Sequence, residues 1–184
     1  MRIIGGTARG RKLKTARIPG IRPTADRVRE ALFNILRNRV EGARVLDLFS
    51  GFGGVGLEAL SRGARRVEFV ESNEQAVKIL EANLSTCGFS DRAVVHKKDV
   101  FRFLKGSPGV FDWAWADPPY HTQTIRKLLP AVGRGDIISA DGLFILEHFT
   151  KARLVNEIEG LELSRSYRYG ETRLTLYERK KADK

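Results

Sequence analysis

Residues 47–56, Asp47-Leu-Phe-Ser-Gly51-Phe-Gly53-Gly54-Val-Gly56, end an apolar run and open a helical pattern. A strand that passes through a glycine turn into a helix continues most simply as a strand–helix–strand crossover, which commits the chain to a parallel sheet. The rest of the sequence agrees. Strands are expected at 44–49, 66–71, 93–96, 111–116, 142–148, 161–169 and 172–178; helices are expected at 54–62, 73–86, 99–105, 122–132 and from Thr150 onward. Such alternation predicts an α/β fold whose mostly parallel sheet carries helices on both faces. The last two strands, turning at Gly170-Glu171, add an antiparallel hairpin. Ahead of the sheet, Ile3, Ile4 and Leu13 interspersed with Gly5, Gly6 and Gly10 suggest a short basic β-hairpin. After the break at Pro19–Pro23, Thr24 is expected to cap a helix bearing Val28, Ala31, Leu32, Ile35 and Leu36, with Gly42 as its stop. The expected organisation is an extension, 1–40, and a main domain, 41–184.

Gly51-x-Gly53-x-x-Gly56 satisfies the dinucleotide fingerprint, in which missing side chains let a ligand approach backbone at a helix amino end. The acid before the turn argues for a different ligand. Asp47 would repel a pyrophosphate, whereas it suits a molecule with an ammonium and a sulfonium, as in S-adenosylmethionine. Glu71 follows 24 residues later at the next strand end, where a carboxylate can hold both ribose hydroxyls. Asp99 follows the third strand and can accept from an adenine amine, with Val100 flanking the ring; helix capping is the plain alternative for either acid. Candidate cofactor contacts are therefore Asp47, Ser50, Gly51, Gly53, Gly56, Glu71, Asp99 and Val100.

Asp117-Pro118-Pro119-Tyr120 stops the fourth strand with residues that continue neither ladder nor helix. An exocyclic base amine is a poor nucleophile because its lone pair is delocalised into the ring. Asp117 and the Pro118 carbonyl can accept its two hydrogens, Pro119 stiffens the loop, and Tyr120 can stack on the base. The plain alternative is an ordinary turn. His96, His121, His148 and Cys87 show no metal-ligand spacing, so metal-free chemistry is expected.

Charge points to the partner. The net charge is +11, of which +9 falls within residues 1–40 and +4 within 165–184, leaving −2 for the middle. Basic ends on a slightly acidic core suit a nucleic acid; the candidate contacts are Arg9, Arg11, Lys12, Lys14, Arg22 and Arg29. No apolar run is long enough to cross a bilayer, the amino terminus lacks a secretory core, and Cys87 is the single cysteine. A cytoplasmic location is expected.

Taken with Arg2-Ile-Ile-Gly-Gly-Thr-Ala-Arg-Gly-Arg and Arg22-Pro-Thr-Ala-Asp-Arg-Val-Arg-Glu-Ala-Leu-Phe-Asn-Ile-Leu, these motifs make the chain similar to the RsmD-type 16S rRNA (guanine-N2)-methyltransferases almost end to end. The resemblance implies a seven-stranded Rossmann-like fold, S-adenosyl-L-methionine as cofactor, and methylation of a guanine N2 in 16S rRNA. It implies catalytic roles for Asp117, Pro118, Pro119 and Tyr120, and a substrate in the form of the small ribosomal subunit or its assembly intermediate. A monomer without a metal is expected. The alternatives are a DNA base-amine methyltransferase, a non-catalytic RNA-binding or assembly factor, and, more remotely, a nicotinamide oxidoreductase.

Overall fold

The computed structural model describes residues 1–106, 109–119, 122–152, 154 and 157–180. Eight strands form one sheet in the order β3-β2-β1-β4-β5-β8-β7-β6. The first five, β1 (Arg44–Leu48), β2 (Arg66–Glu71), β3 (Ala93–Lys97), β4 (Phe111–Ala116) and β5 (Ile138–Phe149), are parallel. β8 (Thr172–Arg179) pairs antiparallel with β5, and β7 (Leu161–Tyr169) and β6 (Glu157–Ile158) extend the sheet antiparallel beyond it. Helices α1 (Asp26–Leu36), α2 (Gly54–Ser61), α3 (Glu74–Cys87), α4 (Val100–Leu104) and α5 (Thr122–Arg134) complete the fold.

Alternation along the central strands divides the core in two. Val45, Trp113, Trp115, Leu143 and Ile145 share one cluster with Leu32, Phe33 and Leu36 of α1. Leu46, Leu48, Ala114, Ala116, Phe144 and Leu146 share the other with Ile125, Leu128, Leu129 and Val132 of α5. Each large side chain removed from water here contributes roughly 1.5–3 kcal/mol. Helix α2 lies close on β2: a Cβ at Gly56 would meet the Phe69 ring at 2.2 Å, so that position must be glycine.

Five expectations need correction. Among the described residues the sheet has eight strands rather than seven, because Glu157–Ile158 adds a short edge strand. The helix expected from Thr150 is not formed among the described residues; Thr150 N–H is taken by the Glu171 carbonyl and Ala152 N–H by the Phe149 carbonyl. Helix α1 is capped by Ala25 rather than Thr24, with no side-chain cap. It ends at Leu36 in a 3-10 turn, Arg37–Arg39, well before Gly42. Strand β5 begins earlier than residue 142, since a register shift between Phe111 and Trp113 inserts extra residues into it.

The amino-terminal hairpin is narrow, a single Arg2–Lys12 bridge flanked by bonds from Ile3 N–H to Arg11 O and Leu13 N–H to Met1 O. Its fixing point is a buried ion network. Glu58 accepts N–H bonds from Ile4 and Gly5, each 2.8 Å, and a 2.8 Å bond from Arg62 Nε. Arg29, also fully buried, donates through Nη2 to Arg2 O and Asp26, both at 2.7 Å, and lies 3.5 Å from Glu58. Arm, α1 and α2 are thereby tied at one place.

Candidate active site

Four carboxylates stand in a row across the carboxyl ends of adjacent strands. Asp47 pairs in register with Phe69 on one side and Trp115 on the other, and Trp115 pairs with Ile145. Two residues further along each neighbour come Glu71, Asp117 and Glu147, all on the same face because side chains repeat with period two. In sheet order the row reads Glu71 (β2), Asp47 (β1), Asp117 (after β4) and Glu147 (β5).

The environment of each acid differs. Glu71 is pinned by backbone donors, Gly51 N–H to Oε2 at 2.9 Å and Asn73 N–H to Oε1 at 2.7 Å. A carboxylate oxygen can accept more than one bond, so both oxygens keep capacity for a ligand. Asp47 Oδ2 accepts from Gly56 N–H at 2.9 Å, and this bond holds the helix start against the strand end. Burial nevertheless pushes the Asp47 carboxyl up to about 7, with the Gly56 bond opposing and the charges of Asp117 and Glu71 adding to the rise. Asp117 keeps an accessible edge, yet burial lifts it also to about 7. Glu147 is 4% exposed, its Oε2 has no hydrogen-bond partner, and burial followed by the charge of Asp117 lifts it to about 8. Among the described residues no three of these acids converge as a metal site.

The glycine turn is built for close approach. Phe49 adopts φ 57°, a left-handed conformation rare for a bulky residue, and turns the chain sharply after β1. Gly51 and Gly53 follow at φ 53° and 81°. The Ser50 hydroxyl is buried without a partner beside them. Asp99 caps α4 through Oδ1, which accepts from Arg102 N–H at 3.0 Å; it is exposed, with Val100 buried next to it. The capping role expected as the plain alternative is therefore present at Asp99, whereas α3 is capped by Asn73 instead of Glu71.

The arm backs onto this turn. Ile18, Phe52 and Ala76 form a small apolar cluster joined by Met1 and Ile21, so Phe52 is the side chain that anchors the arm to the glycine loop. Asn83 bonds Lys14 through its N–H at 2.8 Å and its carbonyl at 3.0 Å, and reaches the Phe52 carbonyl at 3.2 Å. Arg9, Arg11, Lys12, Lys14 and Arg22 are exposed, and Arg11 also donates to the Thr86 carbonyl. Arg29 is not a surface contact: at 0% exposure, with its guanidinium engaged as above, it cannot reach a phosphate. Tyr120 and His121 lie outside the described residues. His148 bonds Phe149 O and Thr175, and His96 bonds Glu68, so both have structural partners.

The buried acids make stability pH-dependent with a definite sign. A carboxyl whose folded pKa is raised stabilises the fold fully only below its unfolded value near 4, and that stabilisation is lost as pH rises through about 7 to 8. Melting temperature is therefore expected to fall between about pH 5 and pH 8.5, and to fall less in Glu147→Gln, as calorimetry would show.

The architecture and this crevice define the class, a methyltransferase with the Rossmann-like fold of S-adenosylmethionine-dependent enzymes. A structure described as putative methyltransferase yhhF from Escherichia coli superimposes with TM-score 0.87 at 32% identity, each chain covered over 97%. A structure described as SMU.776, a putative methyltransferase complexed with SAH, shares the fold at TM-score 0.63 and 19% identity, covering 86% of this chain and 50% of its own. The family described as Conserved hypothetical protein 95 matches residues 1–178, and the chain belongs to it, the RsmD-type methyltransferases. Ribosomal RNA small subunit methyltransferase D of Escherichia coli K12 is 34% identical over 97% of this chain and 90% of its own. Putative rRNA methyltransferase YlbH of Bacillus subtilis is 34% identical over 98% of this chain and all of its own.

Proposed function

We propose that the protein transfers a methyl group from S-adenosylmethionine to the exocyclic N2 amine of a guanine in 16S rRNA. The observation that carries this reading is Asp117-Pro118 at the carboxyl end of β4, one strand away from Asp47 and the glycine turn. The residues fit the cofactor: an unpartnered buried hydroxyl at Ser50, a turn of left-handed glycines, and acids with spare acceptor capacity. Gly51 and Gly53 would cradle it, with Gly56 seating α2 against β2 beneath them, Glu71 would take the ribose, Asp99 and Val100 the adenine, and Asp47 the cationic end. When bound, it supplies an electrophilic methyl carbon on a sulfonium.

The protein's own groups act on the amine. Asp117 accepts one N–H and the Pro118 carbonyl the other, drawing the nitrogen toward a pyramidal geometry with a more available lone pair. The nitrogen lone pair would then take the methyl carbon as its bond to sulfur is released, and the displaced N–H proton would pass to the Asp117 carboxylate. An acid lifted to about 7 is well matched to that task near neutrality, since proton transfer is most effective when the pKa lies close to the working pH. Pro118 is buried, which fixes the direction of the loop, and Tyr120 would stack on the base. The guanine has to be unstacked to enter.

The relatives named for small-subunit rRNA support the substrate, and the exposed bases of residues 1–40 supply the phosphate contacts. The arm and α1 would then serve as the RNA-binding extension to the methyltransferase domain, within a cytoplasmic monomer. Neutralising Arg9, Lys12, Lys14 and Arg22 together is expected to weaken binding to small subunits and to reduce the slope of log K against log salt by roughly 3. An unchanged slope would place the RNA elsewhere. Incubation with a labelled methyl donor and either small subunits or duplex DNA tests the substrate: label is expected in the former, and label in DNA alone would reject rRNA.

A further inference from the structure

Glu147 is absent from every motif, yet it is the most completely isolated acid at the crevice. It sits beside Asp117 on the neighbouring strand, 4% exposed, and its Oε2 receives no N–H or O–H. An ionised carboxylate depends on such donors, and an oxygen without them is where a proton is most easily kept. Among the described residues, the groups around it offer no compensating cation. Asp117 faces it from β4, Asp47 and Glu71 lie beyond, and its cross-strand neighbour on β8 is Leu174. Arg173 and Thr175 alternate to the opposite face of β8, Tyr167 of β7 lies behind Leu174, and Arg29 of α1 is engaged by Asp26, Glu58 and backbone carbonyls.

Resting on the N2-methylation reading, we propose that Glu147 is a positioning residue that stays protonated while Asp117 ionises, so that the pair presents one negative charge, held in place, to the substrate amine. The acid hydrogen of Glu147 can bridge the two carboxyls and fix the Asp117 rotamer. The proton taken from the methylated nitrogen goes to Asp117, and Glu147 changes neither charge nor bonding partner during the step. Ionising Glu147 would set two like charges side by side in a poorly solvated place and release Asp117. The proton affinities agree with this order, Asp117 at about 7 and Glu147 at about 8, the latter raised in part by the former's charge.

Two measurements test it. Infrared difference spectra of wild type against Glu147→Gln, without substrate, should show a buried carboxylic-acid carbonyl band at neutral pH that disappears above about pH 8 and is lost at lower pH in Asp117→Asn. Methylation of small subunits should rise through about pH 7 and fall about tenfold per unit above pH 8 in wild type, while Glu147→Gln keeps the rise and lacks the fall. Absence of the acid band at pH 7, or an unaltered alkaline fall in Glu147→Gln, would overturn the assignment. If wild type shows the band but methylates no guanine, the function is misread and the proton on Glu147 stands.

Discussion

Replacing Asp117 by alanine or asparagine is expected to lower the rate of methyl transfer by about 10³–10⁴-fold while leaving S-adenosylmethionine affinity within a few fold. The split follows from position. Asp117 lies past the end of β4, whereas the turn and the acid pinned by it, Gly51 to Gly56 and Glu71, belong to β1 and β2. Removing one charge from the carboxylate row also relieves Asp47 and Glu147, each of which is raised in part by Asp117. The variant should therefore melt no lower than wild type at alkaline pH, so that lost activity cannot be assigned to unfolding. Single-turnover rates with calorimetric cofactor titration check both halves. A variant that retains activity would remove Asp117 from the chemistry.

The second large effect falls on stability. Arg29→Met should destabilise the fold by about 3–5 kcal/mol, because it leaves Glu58 as a buried charge with one cation fewer and strips Arg2 O and Gly54 O of a donor. For a chain of this size that corresponds to a fall in melting temperature of roughly 6–20 °C. Loss is expected to be local as well as global. The same network holds the arm through Ile4 and Gly5, and the arm covers the glycine loop through Phe52, so cofactor affinity should weaken together with protection of the arm's amides. Hydrogen exchange of residues 3–13 measures this directly. An arm that stays protected in Arg29→Met would show that the apolar cluster alone secures it.

Arg29 also shows what a sequence can and cannot convey. As one of eleven bases in the first forty residues it invites assignment to the RNA face. Yet Arg29, Leu32, Phe33 and Leu36 occupy positions i, i+3, i+4 and i+7, the inward stripe of α1, and that spacing was the available sign of burial. Glu58 gives a weaker sign, an acid within the apolar run Leu57-Glu-Ala-Leu. Strands β2, β4 and β7 are legible to the residue because glycine, proline or charged turns bound their apolar runs sharply. The same alternation overreaches after β5, where it demands a helix; the return strand instead starts at Glu157 and the Thr150 amide is captured by the hairpin turn. Asp47, Glu71 and Asp117 can be found from the chain because each directly follows or ends such a run. Glu147 cannot, since nothing local marks it: only the pairing of β4 with β5, some thirty residues apart, sets it beside Asp117.

Small ribosomal subunits lacking the modification, incubated with the protein and a methyl-labelled donor and then digested for nucleoside mass spectrometry, give the most direct test. N2-methylguanosine confined to 16S rRNA is expected with wild type and should be absent with Asp117→Ala. Label on another atom or base, or equal labelling by the two proteins, would contradict a carboxylate at the end of β4 gripping a guanine amine.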